Sequence, residues 1–186
     1  MNRVDNQLIA DYLKGDDESF EILIKRYLKP IYSFVYRYTG GAQDAEDITQ
    51  EVFMKVWRNL KKFDKQKSFK TWIFTIAKNT SVDLLKKKKA IPFSEFENEA
   101  GENVITETLA DPSPLPNKLV ESMDMAQMLT TAMYKLSSKY RMVLFLRYND
   151  HFTFREIAES LQEPLHTVKS RHRRAIILLK ELLGES

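Results

Sequence analysis

The chain has 186 residues, 29 Lys and Arg against 26 Asp and Glu, a formal net charge of +3 and 43% hydrophobic residues. That is the composition of a globular chain, long enough for one medium domain or two small ones. The absence of cysteine excludes disulfides, thiolate metal sites and cysteine nucleophiles, and fits a reducing compartment. The stretch Met1 to Glu18 is polar and acidic, without the apolar centre of a secretion signal. No uninterrupted apolar run is longer than that of Ala175 to Leu179, which is too short to span a bilayer. A soluble, cytoplasmic protein is expected. Five glycines, few alternating β-branched runs and no Gly-rich phosphate loop point to helices throughout.

Charge divides the chain into three. Residues 1–90 carry 18 basic and 12 acidic side chains, a net +6. Residues 91–117 carry six acids, no Lys or Arg, and four of the six prolines. Residues 118–186 carry 11 basic and 8 acidic side chains, a net +3. The middle segment lacks helical periodicity and reads as a flexible acidic linker between two small helical domains.

In the first domain Phe20, Leu23, Ile24, Tyr27, Ile31, Phe34, Val35 and Tyr38 recur at helical spacing. Pro30 is expected to interrupt and kink this helix, and Gly40-Gly41 to end it. A second helix carries Ile48, Val52, Phe53, Val56, Trp57 and Leu60 on one stripe, with Asp44, Glu46 and Asp47 in its first turns, where the helix dipole favours acids. A third starts near the N-cap Ser68, carries Phe69, Trp72, Ile73, Ile76, Ala77 and Leu84, and ends in Lys86 to Lys89. Three or four helices here can bury one small core.

In the second domain Leu119 to Leu136 and Ser138 to Tyr148 read as helices. Thr153-Phe154-Arg155-Glu156 fits a capping box opening a short helix to Leu161. Gln162-Glu163-Pro164 is a tight turn, and a last helix runs from about Leu165 to Leu183. A short helix, a tight turn and a longer basic helix is the helix-turn-helix pattern. At 100° per residue Leu165, Val168, Ala175, Leu179 and Leu182 share one side of the last helix. Lys169, Ser170, Arg173 and Arg174 share the other, with Arg171 at the flank. Such a ridge can neutralise phosphates and grip guanine edges in a major groove; a merely solvated amphipathic helix is the plainer alternative.

The stretch from Leu60 to Lys70 interleaves lysines with Phe63 and Phe69 and leads into Trp72, a pattern suited to stacking bases of single-stranded nucleic acid. The plainer alternative is that Phe69 and Trp72 are core residues, and for Trp72 the two readings weigh about equally. The acids Asp44, Glu46, Asp47 and Glu51 are a solvated helix start or a protein-docking face. His172 falls near the apolar stripe and reads as a partly buried, hydrogen-bonded histidine. His166 and His172 face different sides of their helix and cannot share a metal, and His151 beside Asp150 has no nucleophile to serve. No catalytic or metal site is expected.

Three stretches together resemble bacterial RNA polymerase sigma factors of the extracytoplasmic-function group. They are Asp44-Ala45-Glu46-Asp47-Ile48-Thr49-Gln50-Glu51-Val52-Phe53, Phe69 to Asn79 with Asp83, and Glu156-Ile157-Ala158 with Thr167 to Ala175. The resemblance covers both domains in order. It implies an all-α, two-domain, non-enzymatic promoter-specificity factor without a cofactor or small-molecule substrate. Residues 1–90 would bind core RNA polymerase and open the minus-ten element of promoter DNA, 91–117 would be the linker, and 118–186 would read the minus-thirty-five element. By resemblance, Asp44, Asp47, Gln50, Glu51, Phe53 and Trp57 face the polymerase. Phe63, Lys67, Phe69, Lys70, Trp72, Asn79, Lys86 and Lys87 face the minus-ten region, and Arg147, Lys169, Ser170, Arg171, Arg173 and Arg174 the minus-thirty-five duplex. It also implies an anti-sigma partner, often membrane-bound in the family. A free-standing helix-turn-helix regulator is the runner-up reading, and an adaptor that contacts only proteins is the third.

Departures from the family pattern are local. His166-Thr167-Val168 stands where Gly-Thr-Val is frequent, His172 stands where an aliphatic residue is usual, and lysines replace arginine near the end of the third helix. They bear on which promoter bases are read rather than on the general role.

Overall fold

The computed structural model describes residues 4–90 and 127–184, with the backbone alone at 88–90. Every element among them is helical. Helix α1 spans Asp5–Tyr12, α2 Asp17–Thr39 and α3 Ala42–Asn59. A single 3-10 turn at Leu60–Lys62 leads to α4, Phe69–Ala90. Helix α5 covers 127–135. Helix α6, Ser138–Leu144, runs into a wider π turn at Phe145–Asn149, and α7 (Phe154–Leu161) and α8 (Leu165–Gly184) follow. The expected acidic linker and the start of the helix expected from Leu119 lie outside the described residues.

The polar N-terminal stretch, expected only to lack a secretion signal, forms α1. Leu8 and Ile9 are fully buried on one side of it, and Asp5 receives hydrogen bonds from Arg26 and Tyr27 of α2. Two adjacent apolar residues are too short a signal for periodicity, but enough to dock one turn. Burial, and then the hydrogen bond to Asp5, push the Tyr27 phenol well above its ordinary value.

Helix α2 does not stop at Pro30. The proline has no N–H for the Arg26 carbonyl, but Leu23 and Tyr27 before it and Ile31, Phe34 and Val35 after it are all buried. Tertiary burial on both sides outweighs the missing bond. Gly40 ends the helix with φ of 82°, a left-handed cap that favours glycine. At the start of α4 the Ser68 hydroxyl accepts from the Thr71 N–H at 3.3 Å, the expected cap.

Around α7 the capping box is complete. Thr153 Oγ1 accepts from the Glu156 N–H at 3.2 Å, and Glu156 Oε2 accepts from the Thr153 N–H at 2.7 Å. Gln162 closes the helix in the left-handed region, which turns the chain toward α8.

The two halves share one core. Phe34, Ile73, Phe74 and Ala77 of the first continue into Val143, Leu146, Phe152, Ile157 and Leu161 of the second. Phe74 and Phe152 meet edge to face at 4.9 Å between ring centres. A smaller cluster of Leu136, Leu144 and Ala175, backed by Leu179 and Leu182, holds α8 to α6.

Candidate nucleic-acid and polymerase interfaces

Helix α8 presents the amphipathic split expected of it. Val168 and Ala175 are buried, whereas Lys169, Ser170, Arg173 and Arg174 are exposed. A row of cations on an exposed helix is an electrostatic footprint for a polyanion. Two other expected contacts are turned inward. Arg171 reaches back across the turn, its Nη1 2.6 Å from Glu163 Oε2. Arg147 donates to the Phe152 carbonyl at 2.9 Å and lies over the Phe154 ring at 5.1 Å. Both arginines brace the helix-turn-helix frame in this arrangement. His172 occupies the family's aliphatic position as a partly buried ring, its Nε2 3.0 Å from the Tyr148 hydroxyl and its centre 5.0 Å from that of Phe154. Burial, reinforced by Arg147, lowers its pKa.

Helix α3 buries Ala45, Ile48, Thr49, Val52 and Val56. Its opposite face carries Asp47, Gln50 and Glu51, followed by Met54 and Trp57. Met54 is 50% exposed and Trp57 56%. Glu51 pairs with Lys55 at 2.8 Å, and the Trp57 indole N–H donates to the Tyr12 hydroxyl at 2.8 Å, which fixes the ring outward. Asp44 and Phe53 are partly buried at the margins of this face. A stripe that is acidic at one end and apolar at the other suits a protein partner. Met54 escaped sequence reasoning; its signal is the spacing, three residues after Glu51 and three before Trp57.

The basic loop needs correction. Phe63 and Phe69 are 7% and 3% exposed and belong to the core. Phe63 packs on Phe69 at 5.6 Å and on Trp72 at 5.0 Å, while Tyr27 meets Phe69 edge-on at 5.4 Å. A loop of lysines cannot anchor itself, so its aromatics fold inward and fix its path. Trp72 is half-buried, with part of its surface open. Lys67, Lys86 and Lys87 are exposed.

Lys70, Lys78 and Asn79 meet the second half of the chain or lie beside that seam. The Lys70 ammonium donates to the Asp150 carbonyl and sits 4.0 Å from the centre of the Phe152 ring. Lys78 Nζ lies 3.3 Å from Asn79 Oδ1 and 3.2 Å from Gln162 Oε1. Nearby the Arg37 guanidinium lies 3.8 Å from the centre of the Phe145 ring. Burial lowers the pKa of Lys70 and of Arg37 and raises that of Asp150. Among the described residues no group of three or more His, Asp or Glu is placed to hold a metal ion, and no helix is long and apolar enough to cross a membrane.

Two family models match the chain: Sigma-70 region 2 over residues 23–91, and Sigma-70, region 4 over residues 126–186. The chain is 35% identical to the ECF RNA polymerase sigma factor SigW of Bacillus subtilis (strain 168), over 94% of each sequence. The chain belongs to the ECF group of RNA polymerase sigma factors. The ECF sigma-E factor of Escherichia coli (strain K12) is 31% identical over 92% of this chain and 90% of its own. A solved structure of the sigma factor RpoE in complex with the anti-sigma factor NepR, from Bartonella quintana, shares the fold. Its TM-score is 0.68 at 22% identity, covering 90% of this chain and 98% of that one. ECF sigma factors are transcription initiation factors rather than enzymes.

Proposed function

We propose that this ECF sigma factor engages core RNA polymerase through the outer face of α3 and promoter DNA through two separate cationic surfaces. Asp47, Gln50, Glu51, Met54 and Trp57 form the polymerase face, with Asp44 and Phe53 at its margins. Lys67, Trp72, Lys86 and Lys87, together with Lys70 and Asn79 once the seam is free, take the minus-ten region. Lys169, Ser170, Arg173 and Arg174 read the minus-thirty-five duplex, while Arg147 and Arg171 hold the reading helix in place. On this view residues 1–90 and 118–186 are the two working domains, and 91–117 tethers them. Two weak DNA modules on one tether gain affinity through effective concentration once polymerase fixes their spacing. The factor needs no cofactor or small-molecule substrate, acts in the cytoplasm, and is restrained by an anti-sigma protein, which is membrane-bound in many relatives of this kind.

The observation that carries the reading is the α8 ridge: four exposed polar and cationic side chains on a helix set at a fixed angle by a complete capping box and turn. The test is a pull-down with bacterial core RNA polymerase followed by transcription from a genomic promoter library. Stoichiometric binding with new start sites supports the reading. A folded protein that does not bind core polymerase refutes it in favour of a free-standing regulator.

A further inference from the structure

Helix α1 touches the link between α3 and α4 at two places. At its last residue the Tyr12 hydroxyl accepts the Trp57 indole N–H at 2.8 Å, beside the polymerase face, while the Tyr12 ring stacks on Phe20 at 4.8 Å. In its first turn the Asn6 amide donates to the Lys65 carbonyl at 3.1 Å, at the crest of the basic loop. The neighbouring Asp5 accepts from the Tyr27 hydroxyl, and Tyr27 meets Phe69, in the floor of that loop, edge-on at 5.4 Å. Between these ends Leu8 and Ile9 are fully buried, which fixes the helix in place.

The basic loop needs such a hold. Residues 64–68 are all exposed, and Lys61, Lys62, Lys65 and Lys67 repel one another. The loop's own bonds are local. Asp64 accepts the Gln66 N–H through Oδ1 at 3.0 Å and the Lys67 N–H through its carbonyl at 2.9 Å. These bonds shape the turn but do not tie it to another element. We propose that Asn6 is a positioning residue for promoter recognition. By holding the Lys65 carbonyl it sets the Asp64–Lys67 turn in the attitude in which Lys67 and Trp72 meet the minus-ten strand, and α1 keeps that turn in register with Trp57 on the polymerase face. The inference rests on the promoter role proposed for Lys67 and Trp72.

Two substitutions separate positioning from support of the fold. Asn6→Asp keeps the size and shape of the side chain and puts an acid in the first turn of α1, where the helix dipole favours it. It loses the donor and sets a carboxylate oxygen against the Lys65 carbonyl. Asn6→Ala loses the donor without adding charge near the DNA. Asn6 is exposed, so neither change opens a cavity in the core. A residue serving only the stability of α1 would make the aspartate harmless. A positioning residue makes both substitutions costly to the promoter step alone.

The test reconstitutes the full-length factor with bacterial core RNA polymerase and transcribes a promoter it uses, randomised across the minus-ten element. Asn6→Ala and Asn6→Asp should each lower the preference for favoured over disfavoured minus-ten sequences by about two- to tenfold, the worth of one net hydrogen bond. Core affinity, read by pull-down titration, and the melting temperature should stay at the unmodified values. Lys67→Glu marks the loop itself and should also alter the preference. A preference changed by Lys67→Glu but untouched by both Asn6 variants overturns the positioning role and leaves the promoter role of the loop standing. A preference untouched by all three variants overturns the promoter role and the inference with it. A loss confined to Asn6→Asp would mean repulsion of DNA rather than a lost hold, and sinks the inference. So does a drop in core affinity or melting temperature that accounts for the lost preference, since Asn6 would then only support the fold.

Discussion

Arg171 and Arg174 stand three residues apart on α8, and their surroundings differ. Arg174 is exposed on the ridge, whereas the Arg171 side chain is 18% exposed and paired with Glu163, itself 31% exposed. Arg174→Ala should remove a groove contact, costing about 1–3 kcal/mol, or about 5- to 150-fold in duplex affinity. It should leave thermal unfolding unchanged, since nothing in the fold leans on that side chain. Arg171→Ala should do the reverse. Its pair with Glu163 lies between an exposed bridge, worth under about 1 kcal/mol, and a buried one, whose breaking costs about 3–5 kcal/mol, so a loss of about 1–2 kcal/mol is expected. Because the core is continuous through both halves, that corresponds to roughly 2–8 °C in Tm. The assay is transcription from a minus-thirty-five-dependent promoter with saturating core polymerase, alongside calorimetry of each variant. A double-mutant cycle with Glu163→Ala should recover a coupling energy for Arg171 and none for Arg174. Wild-type transcription by Arg174→Ala, with lost transcription and unchanged melting for Arg171→Ala, would refute the division.

The capping box predicts that Thr153→Ala destabilises the second half by about 1 kcal/mol while Thr153→Ser is nearly silent, as read by denaturant unfolding. Combined charge reversal at Asp47 and Glu51 should weaken core-polymerase binding and spare duplex binding; an unchanged pull-down would return those acids to helix capping. His172 has a folded-state pKa held below its ordinary 6.5, so the fold prefers the neutral ring. Stability is then complete above the unfolded value and declines as pH falls through it. His172→Leu should flatten that decline as pH falls below the ordinary 6.5, measured as Tm against pH, and an identical slope in the variant would contradict the assignment.

The helices most legible in the sequence were those with a long apolar stripe or a strong cap. Helices α2 and α3 announced themselves by spacing, and α7 by Thr153 and Glu156. Helix α1 was not legible, because one turn holding Leu8 and Ile9 has no period to detect. The continuation of α2 through Pro30 was equally hidden, since the burial that carries it comes from α3, α4 and α6 rather than from its neighbours in sequence. At the candidate surfaces, pattern correctly set Lys169, Arg173 and Arg174 apart from Val168 and Ala175. It could not tell that Arg171 and Arg147 turn inward, because their partners, Glu163 and the Phe152 carbonyl, are fixed by a turn and a π bulge. Phe63 and Phe69 show the limit most clearly. Interleaved with lysines they look like stacking platforms, but only Trp72 keeps open surface, and the two phenylalanines are the floor on which the loop rests.

The seam between the halves holds its cations mostly with neutral partners. Two basic domains meet there, and their cations are satisfied largely by uncharged groups: the Asp150 carbonyl and the Phe152 ring for Lys70, the Gln162 amide oxygen for Lys78 and the Phe145 ring for Arg37. Neutral acceptors and ring faces are weaker partners for an ammonium or guanidinium than a phosphate oxygen, since charge-assisted bonds are roughly twice as strong. Arg37 Nη1 and Asp150 Oδ2 are also buried there without a hydrogen-bond partner, which subtracts from what the apolar contacts contribute. Of the second half's carboxylates, Glu156 and Asp150 both favour the charge on Lys70, and burial already works against the charge of Asp150. Asp150→Asn should thus leave the two halves packed together, read in calorimetry as a single melting transition like that of the unmodified chain. A separate, lower melting transition in that variant would mean that the Asp150 charge, rather than its backbone carbonyl and the aromatic faces, holds the halves together.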